Sequence, residues 1–116
     1  MDRKAATRAY KESPPPMGVW RVHNLAEDKS LVGASPNAAG RLNRERFSLE
    51  MGNHFSRGLQ ADWNRLGADA FAFEVLDTLE PSDDPDMDTA AELEEFLGMW
   101  LENLALPNEK RYPARG

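Results

Sequence analysis

The chain has 116 residues, 41% of them hydrophobic, no cysteine, and a formal net charge of -6. That length suits one compact core, and without cysteine there can be no disulfide, thiolate zinc site or cysteine nucleophile. No stretch approaches the roughly 18 consecutive apolar residues of a membrane span, and Met1-Asp2-Arg3-Lys4 does not begin a secretory signal; a cytoplasmic, bacterial-type protein with no membrane partner is expected.

Residues 2–12, with Ala5, Ala6, Ala9 and Tyr10 among basic side chains, can form a short helix. Ser13 and Pro14-Pro15-Pro16 end it, because proline lacks the amide proton a helix interior uses. Residues 1–16 are thus expected to be an N-terminal helix and stiff proline spacer, 17–106 a folded domain, and 107–116 a C-terminal tail. Met17 to Asn24 reads as a first strand, and a polar turn around Glu27-Asp28-Lys29 leads to a second from Ser30 to Ala34. Ser35-Pro36 opens a helix, with serine as N-cap and proline at the first position, and Gly52 closes it.

Asn53 is placed to cap a second helix, in which Phe55, Leu59, Trp63 and Leu66 recur at the spacing of one buried stripe before Gly67. Phe71, Phe73 and Val75 alternate as a third strand does. Thr89 and Glu92 then suggest a capping box for a last helix with Leu93, Leu97, Trp100 and Leu104 along one face. The order ββααβα predicts an α+β fold: a small antiparallel three-stranded sheet flanked by helices that cover its apolar surface.

Charge is uneven along this order. Residues 1–66 carry 11 Lys and Arg against 7 Asp and Glu, whereas residues 67–116 carry 3 against 13. The first part can face phosphates through Arg21, Lys29, Arg41, Arg44, Arg46, Arg57 and Arg65, with Trp20 and Phe55 available to stack on unpaired bases. The acidic segment 80–95 holds eight carboxylates and no base, which reads as a solvated loop or as a docking surface for a basic protein partner. Asp84, Asp86, Asp88 and Glu95 match four positions of a calcium loop, but Thr89 stands where such a loop requires glycine.

Gly18-Val19-Trp20 is followed after ten residues by Leu31-Val32-Gly33, then by Ala34-Ser35-Pro36-Asn37 and Arg41-Leu42-Asn43-Arg44. Together with the segment from His54 to Gly67, these motifs resemble the GIY-YIG nuclease family over roughly residues 17–104. The resemblance implies a site in which one tyrosine from each glycine-bearing strand lines a water pocket. It also implies an arginine on the first helix to stabilise phosphate, a histidine one turn later to assist proton transfer, and a glutamate on the last helix to hold one divalent metal. The matching positions here are Trp20, Leu31, Arg41, Glu45 and Leu97, and of these Arg41 alone keeps the family's residue type.

Indole donates but cannot accept a proton, leucine does neither, and loss of a general base costs about 10²- to 10⁴-fold in rate. The resemblance therefore implies a GIY-YIG nuclease-like domain, degenerate and catalytically impaired, that acts as a nucleic-acid-binding or protein-interaction module. DNA or RNA would meet Arg41, Arg44, Arg57 and His54. The alternative is an active endonuclease dependent on Mg²⁺ or Mn²⁺, with Glu94 or Glu95 replacing the lost metal ligand; otherwise no cofactor is expected.

Glu45 lies one turn from Arg41 and admits two readings, a carboxylate that competes with phosphate or an exposed ion pair of little energy. His54 admits two as well, a phosphate contact or, preferred, a solvated histidine at a helix start. Leu97 itself reads as part of the core stripe.

Overall fold

The computed structural model describes residues 16–80 and 88–112. The expected N-terminal helix, most of the proline spacer, and Asp83, Asp84 and Asp86 of the acidic segment lie outside the described residues. Strand β1 spans Met17–Asn24 and β2 spans Lys29–Ser35, paired antiparallel with Val22 opposite Leu31 and Trp20 opposite Gly33. The turn between them is set by Asn24, whose Oδ1 accepts the amides of Ala26 and Glu27, each at 3.1 Å. Helix α1 covers Ala38–Met51 and α2 covers Arg57–Leu66; β3 runs Phe71–Leu79 and α3 runs Thr89–Leu104. The sheet order is β2-β1-β3, all antiparallel, with a bulge between Val19 and Trp20 where β1 meets β3. The ββααβα order and the small antiparallel sheet are as the sequence predicts.

Several helix starts differ from expectation, and each difference has a local cause. Asn37, not Ser35, caps α1: its Oδ1 accepts the Gly40 amide at 3.0 Å, while Ser35 Oγ accepts the amide of Asn37 at 3.1 Å. Pro36 therefore stays outside the helix. Ser56 rather than Asn53 caps α2, so Phe55 precedes the helix and leaves the expected buried stripe. Asp88 rather than Thr89 caps α3, accepting from the Ala90 amide at 3.0 Å.

Alternation along the strands gives the sheet two apolar faces. Trp20, Val22, Leu31 and Phe73 point to α1 and α2, where they pack with Leu42, Leu49, Leu59, Trp63 and Phe71. Val19 and Val32 point the other way, toward α3, which lies against β1 and β2. Of the expected α3 stripe only Leu93 is fully buried; Leu97, Trp100 and Leu104 are half-buried. The stretch expected as a tail turns back as far as Tyr112, which is buried in the core; its amide donates to Ser30 O at 2.9 Å.

Candidate functional site

Arg41 sits one turn into α1, above the sheet. Its Nε donates to Glu45 Oε1 at 2.8 Å, and its guanidinium carbon lies 5.4 Å from the centroid of the Trp20 ring. Glycine at position 33 is what admits that ring: a Cβ there would stand 2.8 Å from Trp20 Cε2 and closer still to Cζ2. Gly33→Ala should therefore cost about 1–3 kcal/mol through overpacking, measured as a lower urea midpoint with an unchanged slope. Trp20 is buried, and its Nε1 has no hydrogen-bond partner among the described residues. It cannot accept a proton from water, as expected of indole, and its burial also removes the stacking on unpaired bases that the sequence had suggested.

The second oxygen of Glu45 bonds His54 Nε2. His54 Nδ1 in turn accepts the Ser56 amide at 3.0 Å, so the ring proton lies on Nε2 and is directed at Glu45. The backbone amide of His54 donates to Gln60 Oε1 at 3.0 Å, and Gln60 Nε2 donates to Leu49 O and Asn64 Oδ1, both at 3.1 Å. An unbroken chain thus links Arg41, Glu45, His54 and the first turn of α2.

This chain corrects two expectations. The Glu45 side chain is 3% exposed and that of His54 is 0% exposed, so neither a surface ion pair nor a solvated or phosphate-contacting histidine describes them. Glu45 does occupy Arg41, as the competing-carboxylate reading required. Burial pushes the Glu45 carboxyl up, but the hydrogen bonds from His54 and Arg41 outweigh it and hold the group below its ordinary 4.5.

Beside the chain is an open cleft of about 270 Å³ lined by Arg41, Arg44, Glu45, Ser48 and Phe55. Leu31 is buried in the core beneath the site. Leu97 lines a separate groove with Ala34, Pro36 and Leu93, on the α3 side. The family-matched positions that come together are thus Trp20, Arg41 and Glu45, joined by His54; Leu97 does not belong with them. Glu94 and Glu95 are exposed on α3, and among the described residues no three metal-ligating side chains gather. The described residues at Arg41 do not fit a divalent cation, because the one carboxylate among them, Glu45, is bonded through both oxygens.

The expected arginine face is largely paired off. Arg21 bonds Glu74 at 2.6 Å, Arg65 bonds Asp62 at 2.8 Å, Arg46 stands 3.5 Å from Glu50, and Lys29 lies 3.8 Å from Asp62. Among the described residues Arg44 and Arg57 have no ion-pair partner. Sequence reasoning missed Ser48 and Gln60, and placed Phe55 both in the buried stripe and among the rings open to stacking; the stripe placement fails because nothing in the helical spacing distinguishes a buried aromatic from one displaced by a later cap.

No family model matches this sequence, and no curated protein does. Among solved structures, the chain is similar to a mutant of the catalytic domain of intron endonuclease I-TevI, with a TM-score of 0.66 and 22% identity over 84% of this chain and 92% of that one. It is similar also to the catalytic domain of homing endonuclease I-TevI, with a TM-score of 0.64 and 23% identity over 86% of this chain and 99% of that one. At this identity the likeness is one of fold: the chain has a GIY-YIG nuclease-like fold.

Proposed function

We propose that this GIY-YIG-like domain binds nucleic acid at the Arg41–Arg44 cleft and is impaired in cutting it. The observation that carries the reading is the closed Arg41–Glu45–His54 chain, which spends the charged groups of the site on one another. Phosphodiester hydrolysis needs a base for the attacking water and a countercharge for the leaving oxygen. Trp20 and Leu31 offer no base, His54 directs its proton into the protein, and Leu97 supplies no metal ligand.

Binding asks for less. Arg44 and Arg57 are exposed and Arg41 is 36% exposed, so cationic groups remain for phosphate contacts. The acidic side chains Glu92, Glu94, Glu95 and Glu102 stand on α3, across the sheet from α1 and α2, which keeps their repulsion away from the cleft.

Incubation with supercoiled plasmid and Mg²⁺ or Mn²⁺ should give no nicking above background. Fluorescence anisotropy on labelled oligonucleotides should show salt-dependent binding, with a log–log salt slope that falls by about 1 in each of Arg44→Ala and Arg57→Ala. Cleavage abolished by Arg41→Ala would overturn the impairment, and no binding at low salt would overturn the nucleic-acid reading.

A further inference from the structure

Phe55 is a large aromatic side chain left open in the cleft, and Phe47 is another left open on the adjoining surface of α1, outside the cleft lining. Phe55 lines it with Arg41 and Arg44 and is 39% exposed; Phe47, three residues beyond Arg44 on α1, is 62% exposed. Residues three apart on a helix are neighbours, so an aromatic ring and a guanidinium share one surface. Met51, a further turn along, is exposed too.

The Phe55 ring is also held in place. It stacks on His54 at a centroid distance of 4.4 Å and an interplanar angle of 27°, and His54 is itself fixed by its bonds to Glu45 and the Ser56 amide. One face of the phenyl ring rests on a buried imidazole, and the side chain remains partly open to solvent. A fixed, partly open ring loses little conformational freedom when a second flat group lies on it.

Resting on the nucleic-acid reading of the same cleft, we propose that its ligand is an unpaired strand whose bases stack on Phe55 and Phe47 while Arg44 and Arg41 hold the adjoining phosphates. Duplex bases already stack on each other, so an exposed aromatic gains a base face there only by unstacking a step, whereas the bases of a single strand offer their faces freely. Arg41 is half-neutralised by Glu45, which leaves few free cations for counterion release, the main source of affinity for duplex. Single strands compensate through base–aromatic contacts, which tolerate any sequence.

The test compares anisotropy binding of a labelled single-stranded oligothymidylate of roughly 12 nucleotides with a duplex of equal length and with a strand of the same phosphates whose bases have been removed. The single strand is expected to bind about tenfold or more tightly than either control. Phe55→Ala should weaken single-strand binding about 5- to 100-fold and leave the duplex within about twofold, Phe47→Ala should act in the same direction, and Phe55→Trp should retain the preference. Because the abasic control needs no variant, the result does not depend on how Phe55→Ala folds. Equal affinity for all three probes, or single-strand binding indifferent to both alanine variants, overturns the stacking while leaving the cleft as a phosphate site. Binding to no probe overturns both readings.

Discussion

His54→Ala is expected to lower the free energy of unfolding by about 3–5 kcal/mol, the combined cost of leaving a buried carboxylate short of a hydrogen-bond donor and of emptying a fully buried ring site. The change strips Glu45 of its Nε2 donor, leaves the Ser56 amide without its acceptor, and empties the space under Phe55. Glu45→Gln keeps the shape and one hydrogen bond to His54, so it should cost less, about 1–2 kcal/mol. Urea titrations of both variants check the ranking.

The same carboxylate makes stability pH-dependent in a predictable direction. The Glu45 proton is bound less readily in the folded chain than at its ordinary 4.5, so its contribution is complete above that value and is lost as pH falls through the lower folded value. From roughly pH 5 downward the wild type should therefore lose urea resistance more steeply than Glu45→Gln. If nucleic acid binds as proposed, Glu45→Gln should also bind oligonucleotide more tightly by roughly two- to tenfold, because it frees Arg41 from its competing anion. A variant that is less stable yet binds more tightly separates the two roles of Glu45; unchanged or weaker binding would remove Arg41 from the interface.

Tyr112→Ala should have an effect of similar size, about 3–5 kcal/mol, although it lies at the far end of the described chain. Its ring is buried between the hairpin and α2, with Lys29 Nζ 4.7 Å from the ring centroid. Its hydroxyl donates to Asp62 Oδ2 at 2.6 Å and accepts from Asn24 Nδ2 at 3.0 Å. Asn24 is the residue that sets the β1–β2 turn, so this tyrosine ties the chain end to the strands beneath the site. Tyr112→Phe should cost about 1–3 kcal/mol by leaving the buried Asn24 amide and the Asp62 carboxylate short of a partner. Burial, and then the hydrogen bond to Asp62, push the Tyr112 phenol well above its ordinary 10.0; its stabilisation is complete below that pH and is lost only as pH rises through the higher folded value. Thermal melts of the alanine and phenylalanine variants near neutral pH check both figures, and equal melting temperatures for wild type and Tyr112→Ala would contradict the docking.

Much of the architecture was legible in advance. Met17 to Asn24, bounded by proline and a polar turn, and Phe71 to Val75, which alternates, are read as strands; Gly52 and Gly67 end their helices, and the spacing of Leu59 and Trp63 marks the inner face of α2. Caps were harder, because Ser35, Asn37, Asn53 and Ser56 are all chemically able to accept an N-terminal amide. Which one does so depends on how the preceding loop is held. At α2 that is decided by the His54 amide bonded to Gln60 and the His54 ring bonded to Glu45 on the preceding helix, contacts that no capping pattern encodes.

The order of strands and helices is local information, written in hydrophobic period and turn chemistry over a few residues at a time, and it carried as far as the antiparallel fold. Whether a charge is solvated is not local. Glu45 and His54 are polar residues nine positions apart, and nothing in their spacing says that α1 and α2 close over them. Tyr112 likewise has no periodic neighbour to mark it as core. Their burial follows from packing between segments distant along the chain, where desolvation and hydrogen-bond geometry fix which charges remain free to meet a phosphate.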